Sequence, residues 1–327
     1  MVQIAGRANG GAAIRRFSRA RRGVGNAGSG LQRSPRKRAV NQRRVTYVLL
    51  ILPSLVLIGL LDIYPLIYGI SQSVHGGTLV TSGPYVGGSN YRIVLTAPQY
   101  WQAVRFTLVF TVVGVFGSWA VGLAFALALR PKLPWAGTLK VLLLLPWVVP
   151  VVVSTTAWNW LVATPQSPVP ALLRALGFGS IEPLAGPLSA VVVVCLFKVW
   201  VSFPFMMMMM SAALAAVDHS VYEAAQMDGA GSWGQLRHIT MPLIARTTYI
   251  SWVLMTIFCV NDFASIFLLT EGGPDAATQS VVVLAYNTVF FAFKTGPGVA
   301  VAFTVTLPLF VMSGLLYRRI KRAAVAE

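Results

Sequence analysis

Six runs of apolar residues, separated by polar or turn-forming stretches, organise this chain. They lie near residues 45–70, 104–129, 141–161, 188–211, 247–269 and 297–317. Each is long enough to cross about 30 Å of hydrocarbon, which takes roughly 20 helical residues. Lipid offers no partner to an open backbone, and the alternating ten-residue pattern of a membrane barrel is absent, so the runs predict helices. The expected fold class is all-α integral membrane, with six transmembrane helices over residues 45–317. Residues 1–44 predict a basic, disordered tail and residues 318–327 a second tail.

One interruption differs from the rest. Residues 220–242 read "SVYEAAQMDGAGSWGQLRHITMP" and place charged and turn-forming residues between two membrane-length runs. Ser220 followed by Glu223 matches a capping box and predicts a short helix, with Ala224, Ala225 and Met227 on a small face. Asp228-Gly229 is turn chemistry and Gly231 adds a second break. Ser232 to Gln235 offers another capping box, with Trp233, Leu236 and Ile239 on one side. Pro242 suits the first turn of the next helix, where a missing N–H is not needed. The expectation is a helix–turn–helix over about 213–246.

Charge decides direction. The chain of 327 residues is 56% hydrophobic and only 11% charged, where a soluble domain carries about 25%; its mean hydropathy is +0.70. Of 26 Lys and Arg, twelve lie in residues 1–44, with no acid among them. Counting also Arg130, Lys132, Lys140, Arg237, Arg246 and residues 318–322, twenty-one fall on one side if the spans alternate. The excess marks the cytoplasmic side. An N-in, C-in chain follows, with the 213–246 element in the cytoplasm, between helices four and five. The basic tail would touch anionic lipid; without a folded module or interleaved aromatics it does not read as a nucleic-acid binder. Cys195 and Cys259 sit inside apolar runs as small hydrophobes, and His75, His219 and His238 have no metal-ligand spacing.

The stretch "EAAQMDGAGSWGQLRHITMP" resembles the EAA loop of bacterial binding-protein-dependent ABC importer permeases. Glu223, Ala224, Ala225, Asp228, Gly229, Ala230, Trp233 and Pro242 match in register; Met241 stands where Leu is usual, and Arg246 replaces a frequent second proline. "DIYPLIYGISQS", "SNYRIVL", "LLPWVVP", "WVSFPF" and "FLLTEGGPDAAT" look like the carbohydrate-importing branch, and the last is similar to the maltose and glycerol-phosphate type of first permease subunit. Residues 1–44 lie outside the resemblance. It implies that the loop is a coupling helix seated on a cytoplasmic ATPase. The chain has no G-x-x-x-x-G-K-[ST] stretch of its own, so ATP and Mg belong to two partner ATPase subunits. The resemblance further implies a second, homologous permease subunit and an extracytoplasmic substrate-binding protein. The chain would be a multi-pass plasma (inner) membrane protein, without cofactor, metal or enzymatic activity of its own.

Charges inside a membrane segment are costly and mark functional candidates. A sugar path needs hydroxyl-bonding groups and flat apolar faces. Trp158, Asn159, Trp160, Lys198, Trp200, Asn261, Asp262, Tyr286 and Asn287 are the candidate lining residues, beside the reading in which a Lys–Asp pair only holds helices together. Pro146, Pro150, Pro204 and Pro308 are expected to kink or interrupt their helices, and "FPFMMMMM" at 203–210 to supply adaptable packing. Spacings of the G-x-x-x-G kind are scattered and carry no expectation. A rival function is an ion-coupled secondary sugar transporter using Lys198, Asp62 and Asp262.

Overall fold

The structure, a computed structural model, describes residues 35–129, 135–179 and 182–325. Most of the basic tail, residues 1–34, and the cations Arg130 and Lys132 lie outside them. The chain divides into two compact units, Met1–Asp62 and Ile63–Glu327.

In the first unit, helix α1 (Pro35–Ile58) passes into a π-helical turn (Gly59–Ile63). It begins ten residues inside the stretch expected to be a tail. From Tyr47 onward its large apolar side chains are exposed, as suits a helix whose solvent is lipid.

The second unit opens with α2 (Tyr64–Ser73) and a hairpin of β1 (His75–Gly77) and β2 (Ser82–Tyr85), followed by α3 (Ser89–Thr96) and α4 (Pro98–Ala128). The hairpin is antiparallel, with His75 opposite Tyr85, and is the exception to an all-helical expectation. Asn90 holds it in place by donating to the carbonyls of Ser73 and His75, each at 2.9 Å. Then come α5 (Ala136–Val148), α6 (Val151–Val162), α7 (Pro168–Ala175), α8 (Pro187–Ala215), α9 (His219–Met227) and α10 (Ser232–Gln235). A π-helical turn (Leu236–Thr240) leads into α11 (Met241–Val260). After it stand α12 (Ala264–Thr270), α13 (Val281–Tyr286), a π turn (Asn287–Phe291) and α14 (Thr295–Val325).

Four apolar stretches are long enough to cross a membrane unaided: Thr46–Ser73, Pro98–Ala128, Pro187–Ala215 and Ser232–Val260. The expected third span is broken. α5 and α6 meet at 92°, because Val149 before Pro150 is driven into extended backbone, with ψ 133°. Pro146, Pro204 and Pro308, by contrast, sit inside continuous helices. The expected fifth span, 247–269, stops at Val260. Asn261 turns its side-chain amide back onto the Ile257 carbonyl at 2.9 Å and ends the helix. The expected sixth, 297–317, corresponds to the apolar part of α14, Thr295–Val311, and a short apolar helix at Val281–Phe291 precedes it.

The centre of this unit is the packing of α4 on α8. It depends on small residues in α4. A Cβ on Gly122 would lie 2.6 Å from the Met207 backbone nitrogen, and one on Gly117 2.7 Å from Val199. Small residues let helix backbones approach where lipid supplies no hydrophobic drive. The Gly spacing, uninformative in the sequence, is thus the seam of the fold. Phe110, Phe197, Met206 and Met255 fill the core beside it. Of the five successive methionines, Met206, Met207 and Met210 are buried while Met208 is exposed, as expected of residues spread round a helix.

Candidate functional site

Two places gather the chemistry that the sequence singled out. The first is the α9–α10 hairpin. Asp218, not Ser220, is the N-cap of α9; its carboxylate accepts from the Ser220 N–H at 3.0 Å. That N–H, followed by the Ser220 hydroxyl, holds the Asp218 carboxyl below its ordinary value of 3.8. The N-cap therefore lies two residues before Ser220, because Asp is as good a cap as Ser and stands earlier, and the expected Ser220–Glu223 capping box does not form, since the residue three after Asp218 is Val221. The second is absent: Gly231 caps α10 without a side-chain bond, and α10 runs through the π turn into α11. Pro242 lies in the first turn of α11, as expected.

The turn explains the Asp-Gly-Ala sequence. Gly229 has φ +79°. Its N–H donates to the Gln226 carbonyl at 3.0 Å, and that of Ala230 to the Ala225 carbonyl at 2.9 Å. This pair of bonds is the Schellman closure of a helix, whose left-handed residue is usually Gly. Ala225 is buried; Glu223, Ala224 and Asp228 are exposed. Trp233 is 70% exposed and Met227 88%, so Met227 does not join an inward face. His219 Nδ1 lies 3.5 Å from Glu223 Oε1, an exposed pair that is ionic only when the imidazole is protonated.

The second place is the break after α11. Lys198 Nζ on α8 donates to Asp262 Oδ2 at 2.7 Å, with both side chains at most a tenth exposed. Asp262 Oδ1 accepts from the Ser265 N–H at 3.0 Å and so starts α12. A Cβ on Gly114 would crowd Lys198 and Cys259, so α4 also leaves room for the pair. Trp158, Phe197 and Trp200 form an aromatic cluster with centroids 5.4–6.0 Å apart. Asn159 donates to the Leu268 carbonyl at 3.2 Å, joining α6 to α12. Tyr286 packs among Phe263, Phe267, Phe290 and Phe291. The structure thus brings Lys198 to Asp262 and Trp158 to Trp200. Trp160, 70% exposed, is not brought to them. Asn261 is spent on its helix end, and Asn287 Oδ1 is buried without a hydrogen bond among the described residues. Phe110, Phe263 and Phe267 were missed by sequence reasoning; an aromatic in an apolar run carries no mark of which side faces a polar group. Among the described residues no group of His, Cys, Asp and Glu could hold a metal.

Long apolar helices, a span broken at a proline and a glycine-turned hairpin make this a helical membrane protein. The chain belongs to the family described as binding-protein-dependent transport system inner membrane component, whose model matches residues 28–324. It is 34% identical over 240 residues to the trehalose/maltose transport system permease protein MalF of Thermococcus litoralis, covering 73% of this chain and 81% of that protein. It is 29% identical over 263 residues to the trehalose transport system permease protein SugA of Mycobacterium tuberculosis, covering 80% and 83%. The fold matches a crystal structure of a bacterial ABC transporter involved in the import of the acidic polysaccharide alginate, with TM-score 0.74 at 18% identity, over 87% of this chain and 99% of that one. The resemblance carried by residues 223–242 therefore extends through most of the chain. The protein is a membrane component of a transport system rather than an enzyme.

Proposed function

We propose that this chain is one of two permease subunits of an ATP-driven importer, and that it passes a sugar or sugar derivative delivered by an extracytoplasmic binding protein. In this reading six spans cross the membrane, N-in and C-in, with α5 and α6 together forming the third and α14 the sixth. Two cytoplasmic ATPase subunits bind ATP and Mg; one of them receives the α9–α10 hairpin. Closure of the ATPase pair pushes the hairpin, and the spans move between inward-open and outward-open states, a two-state change biased by nucleotide.

The observation that carries the reading is the hairpin itself. Glu223, Asp228 and Trp233 are exposed around a turn at which a Cβ on Gly229 would meet nothing within 4 Å. A large exposed aromatic beside charges on a rigid turn is a surface made for a partner. The sugar class draws support from the relatives' names, trehalose/maltose and trehalose.

The test is uptake by proteoliposomes holding this chain, its partner permease and the ATPases, with the binding protein outside and a panel of labelled sugars that includes trehalose and maltose. Uptake is expected only with ATP and the binding protein. Uptake driven by an ion gradient, without ATPase or ATP, would sink the reading. It would favour the second one, an ion-coupled transporter, whose specific support is the buried Lys198–Asp262 pair.

A further inference from the structure

The inward side of the hairpin carries a feature that the exposed motif does not. Tyr222 and Ala225, three residues apart on one face of α9, are buried. The Tyr222 hydroxyl lies 3.3 Å from Thr240 Oγ1 in a buried contact. Thr240 Oγ1 also lies 3.2 Å from the Gln235 carbonyl. A carbonyl only accepts, so the Thr240 proton goes to Gln235 and Tyr222 is the donor to Thr240. Gln235 Nε2 donates in turn to the Ala230 carbonyl at 2.8 Å, and the Ala230 N–H to the Ala225 carbonyl on α9. The bonds close a ring through both arms of the hairpin.

The ring ends at a mechanically significant residue. Thr240 is the last residue of the π turn and directly precedes α11. The covalent route from α9 to α11 turns at Gly229 and Gly231 and then continues from Ser232 to Val260 as one helix, so the Tyr222–Thr240 contact is a second, side-chain link between the two arms. On the α8 side, His219, Tyr222 and Gln226 of α9 line a cavity of about 630 Å³ together with Ser211 and Leu214. We propose that Tyr222 is a positioning residue that keys α9 to α11, so that a push on the exposed motif moves the span through the Tyr222–Thr240 bond. The proposal rests on the coupling reading above and adds to it the residue pair that carries the displacement.

The experiment uses the complete reconstituted complex and the sugar it carries fastest in the panel. Transport per ATP hydrolysed is measured for Tyr222→Phe, Thr240→Val and Thr240→Ser, with assembly and basal ATPase activity followed in parallel. Tyr222→Phe and Thr240→Val should each lower the ratio by about fivefold, the scale of one net hydrogen bond, with assembly and basal activity unchanged. Thr240→Ser keeps the hydroxyl and should behave as the parent. The double variant Tyr222→Phe/Thr240→Val should be no worse than the poorer single, since both remove the same bond. Should Tyr222→Phe fail to assemble, the comparison of Thr240→Val with Thr240→Ser decides. Gly229→Trp tests the underlying reading: normal uptake there removes the coupling assignment and the relay with it. Impaired uptake there, with an unchanged ratio in either hydroxyl-deleting variant, overturns the relay alone.

Discussion

Lys198 on α8 and Asp262, just past the end of α11, form a 2.7 Å ion pair inside the protein. The pair joins two helices at the point where one of them stops. Removing one partner strands the other charge in a medium that solvates it poorly, at about 3–5 kcal/mol, whereas neutralising both is often harmless. Lys198→Met should therefore lower the melting temperature of the detergent-purified complex sharply. Lys198→Met/Asp262→Asn should recover most of that loss, because Asn retains an oxygen for the Ser265 N–H that starts α12. Additive losses from the two substitutions would show that the pair is not the stabilising unit.

The α4–α8 seam makes a second prediction. Gly122→Ala would set a methyl 2.6 Å from the Met207 backbone nitrogen, and a backbone cannot step aside as a side chain can. The helices must separate, at about 1–3 kcal/mol. Gly137→Ala, in the first turn of α5, meets nothing within 4 Å; it should be neutral or slightly stabilising, since Ala loses less backbone freedom than Gly. Melting curves of the two purified variants, read side by side, check both signs.

These cases show what the chain discloses locally and what it does not. The first span was legible because a long apolar run in lipid has no alternative to helix. The turn at Gly229 was legible because Asp-Gly followed by Ala states its own closure. The break at Pro150 was legible in place, though not that it would be a 92° bend while Pro146, four residues earlier, stays within a helix. The end of α11 was not legible: 247–269 reads as one apolar run, and what stops it is Asn261 together with Asp262 reaching a lysine 64 residues away. The Gly117 and Gly122 seam was invisible for the same reason, since its meaning lies in Val199 and Met207 on another helix. Of the candidate path, Lys198 and Asp262 were named but their pairing was one option of two, and Trp160 was grouped with residues it does not meet. The hairpin at 75–85 was too short, and too poor in β-branched residues, to announce two strands.

Acidification should loosen α9 from its start. The Ser220 N–H holds the Asp218 carboxyl below its ordinary 3.8, so the cap contributes fully above that value and is lost as pH falls through the lower, folded value. In the window between, the unfolded segment binds more protons than the folded one, and stability of the helix start rises with pH. Hydrogen exchange at the Ser220 amide, compared with a distant helical amide over pH 5 to about 2.5, reports it. Asp218→Asn keeps an oxygen acceptor without a titrating proton and should abolish the pH dependence while keeping the protection. Equal pH dependence in both proteins would assign the effect elsewhere.

The turn at Gly229 allows a graded test, because space and backbone strain are separable there. A Cβ at this position meets nothing within 4 Å, yet the backbone sits at φ +79°. Whatever a substitution costs in the isolated chain is therefore conformational. Asn tolerates the left-handed region, Ala occupies it at about 1–2 kcal/mol, and a β-branched residue is a genuine outlier. Stability of the purified chain should fall in the order Gly229, Gly229→Asn, Gly229→Ala, Gly229→Val. Uptake by the assembled complex should follow the same order if shape alone matters. It should drop already at Gly229→Asn if the open space above the turn is where the ATPase surface lies, since a side chain there would meet the partner before it strained the backbone. Melting temperature and ATP-dependent uptake measured on the same three variants separate strain from contact, and a divergence of the two orders is the result expected of a docking turn.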